Sequence, residues 1–473
     1  MLHPCRHAGS HTGTALRTQR DRSERRHALP ARRIMTITAL DSWIVRRTGG
    51  ISGPLRSDDL AAWQTLRLRE TLARAVAGSS FYRKRMAVPD PLAIDSPADI
   101  ARFPFTTADD LSADPMAFLC VGQDDIERVV TLNTSGTTGT PKRLFFTADD
   151  HALTVDFFYH GLLPMTAPGD RVLILLPGGR PGGVADLLCQ AVRRRNCTPL
   201  VAGVPANISD MAAFAARSNA NLIVGFPVPM LAMARSWKEQ GLATASIRTV
   251  LLCSDHIAPS LPGAIADLLS VEVFSDWGMT ELAYGGGVDC SCHCGYHLQE
   301  ADFLFEIIDP DTGAPQPPGC SGEIVVTSLT RRGMPLIRYR TGDISHLMPG
   351  RCPCGSVLKR LGRIAGRRTG LIRLDDGVIA LPDLDEALVL LPDLVDFTAR
   401  FTRENGNGTL CIRPLVAGAL SPGLSRRVRA ALEASPGLRP LLDSGRLTLR
   451  VEATRRFGEF AGEKRVIARE EAS

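Results

Sequence analysis

Between residues 170 and 280 the chain alternates short apolar runs with longer amphipathic stretches. The apolar runs, such as RVLILLP and NLIVGFP, are bounded by Gly or Pro, and segments such as ADLLCQAVRRR lie between them. Short strands separated by helices of this length are typical of a mostly parallel sheet with crossover helices. The pattern therefore predicts the α/β fold class, with the sheet built from this part of the chain.

Two further patterns flank this region. Upstream, apolar residues recur at helical spacing from Asp58 to Gly78, and Asp58 or Ser57 is placed to cap the start. The apolar positions are Leu60, Trp63, Leu66, Leu68, Leu72 and Ala75. Downstream, DFLFEIID and GEIVVTSL are predicted strands, with the turn signals DPDTG and PPG between them. We therefore expect a packing helix before the sheet and a strand-rich region after it.

The length and the end of the chain indicate more than one domain. At 473 residues the chain exceeds what a single hydrophobic core usually supports. The charged residues and glycines of GRIAGRRTG indicate a linker between two domains. We predict a large N-terminal domain over residues 35–368 and a small, mobile α+β C-terminal domain over residues 369–473. Residues 1–34 lack apolar periodicity and are expected to be a disordered tail, either an Arg-rich transit peptide or extra residues before a start at Met35.

Composition and charge narrow the function classes. Hydrophobic residues make up 44% and charged residues 22%, the balance of a soluble globular protein. No apolar run approaches the roughly 18 residues of a membrane span and no secretory signal is visible, so we expect a cytoplasmic protein. The net charge of +5 is concentrated in residues 1–34, which hold eight Arg against two acidic residues. A near-neutral body argues against a broad nucleic-acid surface.

The strongest chemical signal is SGTTGTPK, which runs from Ser135 to Lys142 between two strand-like segments. Its two glycines permit sharp turns that aim backbone N–H groups at phosphate oxygens. Four hydroxyls and the Lys142 ammonium add further donors. The segment is not a Walker A motif, because GxxxxGK[ST] cannot be laid onto it. A polar hairpin turn would explain Gly and Thr but not this density of donors, so we interpret the segment as a phosphate loop.

With this loop as the first match, the sequence resembles the adenylate-forming superfamily of acyl-CoA synthetases, and more narrowly its phenylacetate-CoA ligase-like branch, over roughly residues 50–470. The resemblance implies that the loop binds the β- and γ-phosphates of ATP. The loop residues so assigned are Ser135, Gly136, Thr137, Thr138, Gly139, Thr140 and Lys142.

A second match is DWGMTE, Asp276 to Glu281, which is similar to the superfamily's aromatic-Gly-x-Thr-Glu segment. The resemblance implies that Trp277 lies at the adenine, that Gly278 belongs to the same nucleotide-binding segment, that Thr280 bonds the α-phosphate and that Glu281 holds magnesium. A carboxylate suits a hard cation that bridges phosphate oxygens.

Three further positions follow from the resemblance. In MPLIRYRTGD, Asp343 is the implied acceptor for the ribose hydroxyls, although a surface turn is the alternative. Arg367 in GRIAGRR is the implied nucleotide-contacting arginine, and Lys464 in GEFAGEKRVIARE the implied catalytic lysine. The chain departs from the family in two places: Thr369 and Gly370 replace the expected hinge acid, and the spacing from Lys464 to RVI is unusual. Lys464 could instead be an exposed cation in a charged tail.

Six of the twelve cysteines fall between Cys290 and Cys354. GGGVDCSCHCGYHLQEADFLFEIID is similar to the branch, and CPCG at 352–355 adds another pair. Cys290, His297, Cys352 and Cys354 would form a closed tetrahedral zinc site with no position for water, and closed sites are structural. Cys292, His293 and Cys294 are rival ligands, and isolated reduced thiols are the alternative to any site.

Two less specific segments could shape an acyl pocket. They are GGRPGG at 178–183 and DFFYHGLL at 156–163, which contains Phe157, Phe158 and Tyr159. The small-residue run Tyr284–Gly287 would leave room for a flat ring, which aromatic walls stack on favourably. We therefore expect an aryl or arylacetic acid as substrate.

Together these features imply that the carboxylate of an acid attacks the α-phosphorus of ATP to give acyl-AMP, and that CoA then takes the acyl group. The implied cofactors are ATP, magnesium, CoA and a structural zinc. The expected partners are a small-molecule carboxylic acid and CoA, with neither nucleic acid nor a membrane, and a homodimer is left open. Two alternatives remain: adenylyl transfer to a hydroxyl of a cofactor-like acceptor, and a zinc-stabilised binding protein that keeps the fold without catalysis.

Overall fold

The computed structural model describes most of the chain. The described ranges are 38–49, 54–86, 93–132, 141–204, 207–244, 246–404, 406–417, 422–458, 460 and 465–471. The predicted tail over residues 1–34, the loop residues Ser135 to Thr140 and the candidate Lys464 lie outside the described residues, so the expectations attached to them stay predictions. Among the described helices, none combines the length and apolar character that crossing a bilayer requires.

The N-terminal part consists of short helices and one hairpin. These elements are α1 (Ala39–Arg47), α2 (Ser57–Gly78), α3 (Ser80–Arg85), α4 (Ala108–Ala113), β1 (Arg128–Leu132) and β2 (Lys142–Phe146). Helix α2 confirms the predicted packing helix, but its capping was predicted wrongly. Arg56 is the N-cap without a side-chain cap bond, because Ser57 and Asp58 already lie in the first turn. Leu66 is 48% exposed, since it faces away from the buried stripe.

The middle of the chain confirms the alternation of helices and strands. Its elements are α5 (Ala148–Gly161), β3 (Arg171–Leu175), α6 (Val184–Arg194), β4 (Thr198–Val201), α7 (Ile208–Arg217), β5 (Leu222–Gly225), α8 (Pro227–Glu239), β6 (Thr249–Leu252), α9 (Leu261–Leu269), β7 (Glu272–Gly278), β8 (Gly286–Val288) and β9 (Tyr296–Leu298). Strands β4, β3, β5, β6 and β7 are neighbours in that order and pair in parallel. Strands β8 and β9 continue the sheet in antiparallel fashion.

The parallel strands are apolar throughout because both faces of the sheet are covered. In β3, Val172 and Ile174 join one apolar cluster, whereas Leu173 and Leu175 join another on the opposite face. Strands buried on both faces appear in a sequence as continuous apolar runs, which is the pattern found here. The carboxyl ends of β3, β5, β6 and β7 consequently meet at one edge, the usual place for a ligand site in such sheets.

The strand-rich region forms a second sheet. The elements after β9 are β10 (Phe303–Ile308), β11 (Gly322–Ser328), β12 (Tyr339–Ser345), β13 (Arg360–Leu361) and β14 (Gly366–Arg367). Strands β10, β11, β12 and β14 pair in that order as an antiparallel sheet, and β13 adds to the edge of the first sheet by pairing with β9. The DFLFEIID and GEIVVTSL strands are thereby confirmed.

The C-terminal part has both helices and strands. Its elements are β15 (Ile372–Leu374), β16 (Gly377–Ile379), α10 (Leu381–Leu388), β17 (Asp396–Glu404), β18 (Asn407–Val416), α11 (Leu424–Glu433), α12 (Arg439–Asp443), β19 (Leu447–Val451), β20 (Arg455–Arg456) and β21 (Ile467–Glu471). Strands β19, β18, β17 and β21 form a sheet that packs with these helices around an apolar cluster of its own, spanning Ile372 to Ile467.

One arginine connects this part to the first sheet. Arg465 contacts both oxygens of Asp385 at 2.8 and 2.9 Å, Asp396 at 3.2 Å and Asp255, which follows β6, at 3.4 Å. Burial raises the pKa of Asp385 to about 6 although Arg465 opposes this effect. The guanidinium is therefore the counter-charge for three largely buried carboxylates.

Replacing Arg465 by Met should lower the free energy of unfolding by about 3–5 kcal/mol, because removing one partner leaves buried charges uncompensated. Urea unfolding measures the change. Arg429→Met is the matched control, since Arg429 forms an exposed pair with Glu433 at 3.6 Å and exposed pairs contribute at most about 1 kcal/mol. Equal effects of the two substitutions would show that the Arg465 cluster is not a buried ionic anchor.

Candidate active site

Strand β2 and the segment after β7 meet through an ion pair. Lys142, the first residue of β2, places its Nζ 2.5 Å from Oε1 of Glu281, and the hydroxyl of Tyr339 donates to the same oxygen at 3.1 Å. Burial alone would raise the pKa of Glu281, but the charge and hydrogen bond of Lys142 lower it overall. Glu281 is therefore held as an ionised carboxylate at the end of the predicted phosphate loop.

A second polar cluster surrounds Asp343. The indole N–H of Trp277 donates to Oδ2 at 3.0 Å, and Nε–H of Arg367 donates to Oδ1 at 3.0 Å. The register of β12 and β14 explains the second contact, because Asp343 and Arg367 are direct partners across these strands. Burial would lower the pKa of Arg367, but the carboxylates of Asp343 and Glu281 raise it overall.

These two clusters bring five predicted site residues together. Trp277 is 6% exposed and packs edge-on against Phe305 at 6.2 Å, so its N–H edge is the part that reaches Asp343. The assignments of Trp277 to the adenine and of Asp343 to the ribose stay predictions.

The backbone turns sharply after β7. A Cβ at Gly278 would lie 2.6 Å from the carbonyl oxygen of Tyr284, so this position requires glycine. Ala283 and Tyr284 have positive φ angles of 50° and 67°, which return the chain towards β8. The turn leaves Gly278 and Thr280 lining a cavity, with Glu281 as the next residue.

The cavity has a volume of about 410 Å³ and opens where the strands of the first sheet end. Its wall is mostly apolar and aromatic. The lining includes Phe157, Phe158 and Gly161 from α5 with Leu162 just after it, Gly178 and Gly183 from the glycine-rich segment, and Leu176, Val224, Phe226, Leu251 and Val288 from the sheet and its loops. Both segments that were expected to shape a pocket thus contribute to this one.

Two details of the predicted pocket were wrong. Tyr159 does not line the cavity; its ring stacks with the Arg194 guanidinium at 4.8 Å instead. Gly285 and Gly286 do not line it either, because other groups already fill the adjacent space. A Cβ at Gly285 would lie 2.5 Å from Gln299, and one at Gly286 would lie 2.6 Å from the carbonyl oxygen of Trp277.

The four predicted metal ligands are brought together away from the cavity. The ligand atoms of Cys290, His297, Cys352 and Cys354 all lie within 4.8 Å of one another, and all four residues are buried. Sγ of Cys290 and Sγ of Cys352 are 3.7 Å apart, and Sγ of Cys354 lies 3.5 Å from Nε2 of His297. Tetrahedral zinc with Zn–S about 2.3 Å and Zn–N about 2.0–2.1 Å would separate such pairs by about 3.8 and 3.5 Å.

The rival ligands make other contacts. His293 directs Nδ1 to Asp289 at 2.8 Å and Nε2 to Glu272 at 3.4 Å. Cys294 contacts the carbonyl oxygen of Cys292 at 3.1 Å. The set favoured by the sequence is therefore the one whose donor atoms converge.

Comparison with known proteins agrees with this geometry. The AMP-binding enzyme family matches residues 104–330, a range that contains the hairpin β1–β2, the first sheet through β9 and Glu281. Phenylacetate-coenzyme A ligase of Thermus thermophilus is 28% identical over 337 residues, covering 67% of this chain and 72% of that protein. The Pseudomonas putida protein of the same name is 29% identical over 329 residues, with the same shares covered. The chain is thus similar to adenylate-forming enzymes of the AMP-binding family.

The relatives that carry a name are phenylacetate-coenzyme A ligases, so the similarity is to that branch of the superfamily. Its fold also matches a crystal structure of 2-hydroxyisobutyryl-CoA ligase in the postadenylation state with 2-HIB-AMP. The TM-score is 0.77, 94% of each chain is covered and the sequence identity is 18%. At this identity the likeness concerns the fold alone.

One charged residue at the cavity was missed by sequence reasoning. Asp276 lines the cavity, because neighbours in a strand point to opposite faces and Trp277 points to the Asp343 side. Within the described part of the chain its carboxylate has no ion-pair partner and accepts only from its own backbone N–H. Burial raises its pKa from 3.8 to about 7. The alternation of side chains along the strand around Trp277 is the feature of the sequence that could have placed Asp276 on the opposite face.

Asp276→Asn should stabilise the protein in a pH-dependent way. Because the pKa of Asp276 is raised to about 7, the folded state binds this proton more tightly than the unfolded state, and the parent protein loses stability as the pH rises from about 4 to about 7. The variant lacks this loss, so its Tm advantage should grow over that range and level off above it. Parallel melting curves at pH 5, 6, 7 and 8 measure this, and a constant Tm difference would contradict it.

Proposed function

We propose that this enzyme uses ATP to convert a carboxylic acid, aryl or arylacetic, to its acyl-AMP and then transfers the acyl group to CoA. The observation that carries the proposal is the junction of a mostly apolar cavity with a cluster of charged groups. The cavity ends at Gly278 and Thr280, and the adjacent Glu281 pairs with Lys142 at the end of the phosphate loop. An acid held by its apolar part would present its carboxylate at this junction.

The residues of the junction suit the first half-reaction. There the substrate carboxylate oxygen bonds to the α-phosphorus while the bond from that phosphorus to pyrophosphate breaks. Glu281 offers an ionised oxygen ligand for magnesium, which when bound supplies charge neutralisation for the phosphates. Lys142 and the Thr280 hydroxyl offer donors to phosphate oxygens. In the second half-reaction the CoA thiol attacks the acyl carbonyl and AMP leaves.

The Asp343 cluster suits the nucleoside. Each oxygen of Asp343 accepts one hydrogen bond from Trp277 or Arg367, and a carboxylate oxygen has a second acceptor site. The carboxylate can therefore accept ribose hydroxyls without losing the contacts that hold it.

The aryl or arylacetic preference rests on the cavity wall. Phe157, Phe158, Phe226 and Tyr284 contribute aromatic faces to it, and each good ring pair adds about 0.5–1.5 kcal/mol beyond area burial. The name shared by the curated relatives, phenylacetate-coenzyme A ligase, supports the same class.

We also propose that a domain boundary near residue 368 lets the C-terminal part move between the two half-reactions, with Lys464 acting in the first. Lys464 lies outside the described residues, but its neighbour Arg465 contacts Asp255 after β6. The C-terminal part has its own apolar cluster, as an independent domain requires.

Zinc is the metal that fits the cysteine cluster. Three thiols and one imidazole form a closed set, and two of their separations match a zinc tetrahedron. We propose that Cys290, His297, Cys352 and Cys354 hold it. In this position it would join the loop after β8 to the loop before β13 and serve structure rather than chemistry.

The enzyme should contain about one zinc per chain. Cys352→Ser and Cys354→Ser should each lose most of the metal and lower the Tm, because metal binding is coupled to folding. Elemental analysis and melting curves measure both effects. Cys292→Ser is the matched control and should keep the zinc. A metal-free parent protein that melts at the same temperature as the metal-loaded one would rule out a stabilising site.

Lys142→Met and Glu281→Gln should each lower acid-dependent ATP–pyrophosphate exchange by roughly a hundredfold or more, as removal of a preorganised charge-stabilising group does. Lys359→Met is the control, because Lys359 pairs with Glu300 at 3.5 Å and does not line the cavity. Exchange at parental rates in both folded variants would contradict the assigned roles.

The parent protein, given benzoate or phenylacetate with CoA, should form AMP and a thioester. Product analysis with and without CoA tests the proposal. A stable adenylylated hydroxyl product in place of thioester would favour the adenylyl-transfer alternative. No pyrophosphate release with any acid would favour a binding protein.

A further inference from the structure

The cavity wall contains a carboxyl group that the proposed reaction does not use. In β7, Asp276 lies directly across from Val288 of β8. On its other side the parallel register of β6 and β7 pairs Leu252 with Ser275, which places Cys253 beside Asp276. Cys253, Asp276 and Val288 all line the cavity. The carboxyl group is therefore set in an apolar part of the wall and faces the space that an acyl group would occupy.

This placement is unfavourable for the protein alone. Asp276 is half-buried, so a carboxylate without a partner there loses part of its hydration, and this desolvation raises the pKa of Asp276 to about 7. The carboxylate accepts a hydrogen bond from its own backbone N–H, and most of its other acceptor positions have no donor among the residues that the structure describes. A ligand that brings a hydrogen-bond donor into the cavity would satisfy this capacity, whereas a purely apolar ligand would cover the carboxylate and leave it unpaired.

We infer that Asp276 makes the enzyme select acids whose acyl part carries a hydroxyl or amino group, which donates a hydrogen bond to the Asp276 carboxylate. The inference rests on the proposed function and adds to it the chemical class of the substrate. Sites built to pair with a substrate donor discriminate strongly against analogues that lack it, because a buried group is then left unsatisfied.

The position of Asp276 also indicates where the donor lies on the substrate. Asp276 is two residues before Gly278, and two residues of extended strand span about 6.6 Å. The reacting carboxylate is at the Gly278 and Thr280 end of the cavity, so the donor lies on the scale of one aromatic ring away from it. A ring substituent fits this separation better than a group on the carbon next to the carboxylate.

Arg128 is the other charged residue among those that line the cavity in the described structure. Its guanidinium already donates to the carbonyl oxygen of Pro181. A second carboxylate on the substrate would be the group that matches Arg128, so a dicarboxylic acid is the competing substrate class.

The test compares matched acids in ATP–pyrophosphate exchange. Benzoate and phenylacetate are measured beside their derivatives with one ring hydroxyl, amino or carboxyl group at each position. In the parent protein the best hydroxyl- or amino-bearing acid should exceed its unsubstituted partner in kcat/KM by about tenfold or more. Asp276→Leu, similar in size but without an acceptor, should abolish this preference or reverse it.

Two further variants make the result specific. Asp276→Asn keeps one acceptor oxygen, so it should keep part of the preference for hydroxyl-bearing acids. It replaces Asp276→Leu in the test if the Leu variant does not fold. Cys253→Ala changes the neighbouring wall without removing an acceptor, so it should alter kcat/KM of both acids in a pair by the same factor.

Three outcomes would overturn the inference and leave the proposed function standing. They are equal exchange rates for paired acids, a preference that is unchanged in the Asp276 variants, and a preference for dicarboxylic acids. No exchange with any acid would overturn the proposed function and the inference together.

Discussion

The largely buried ion pair between Lys142 and Glu281 is the contact on which the arrangement of the site depends. It joins residues 139 positions apart in the sequence, and Tyr339 adds a third segment through the same carboxylate oxygen. A charged pair in a low-dielectric environment is favourable only if its geometry is good and its remaining donors and acceptors also form hydrogen bonds. The pair therefore fixes the start of β2, where the predicted phosphate loop ends, the turn after β7 and the start of β12 relative to one another.

Strand β7 divides the site into two chemical environments. Trp277 points to the polar cluster of Asp343 and Arg367, whereas Asp276 points to the apolar cavity. This division follows from the two-residue period of a strand. A shift of one residue in the register of β7 would exchange the two side chains, and the antiparallel pairing with β8 prevents it by matching Gly278 to Gly286, where neither residue has a Cβ.

The parts of the fold that sequence reasoning predicted are those set by local pattern. Runs such as LIVG in β5 indicate strands covered on both faces, and the spacing in α2 indicates an amphipathic helix. The parts that it missed depend on tertiary contacts. Whether Tyr159 faces the cavity is decided by the rotation of α5, which places its ring against Arg194. Whether Gly285 lines the cavity is decided by the side chain of Gln299, which comes next to Gly285 only when β8 and β9 pair. The four proposed metal ligands were named from the sequence because thiol and imidazole chemistry narrows the candidates, but only the convergence of their donor atoms in the fold separates them from the rivals Cys292, His293 and Cys294.

The contacts between the C-terminal part and the rest of the chain bear on whether that part can move. Of the three carboxylates around Arg465, Asp385 and Asp396 belong to the C-terminal part, and only Asp255, at the longest distance of 3.4 Å, lies outside it. A rotation about residues 368–370 would thus keep the two shorter contacts and break the longest one. Arg235 adds two hydrogen bonds to the carbonyl oxygens of Val389 and Leu394 at 2.8 and 2.7 Å, and the apolar side chains at this contact are only partly buried. The contact surface is mixed, because Val389, Val395, Phe457 and Phe460 pack against the apolar cluster on this side of the first sheet beside the polar contacts. If the C-terminal part moves as we propose, these contacts break, and Gly370 offers a flexible joint in place of the hinge acid.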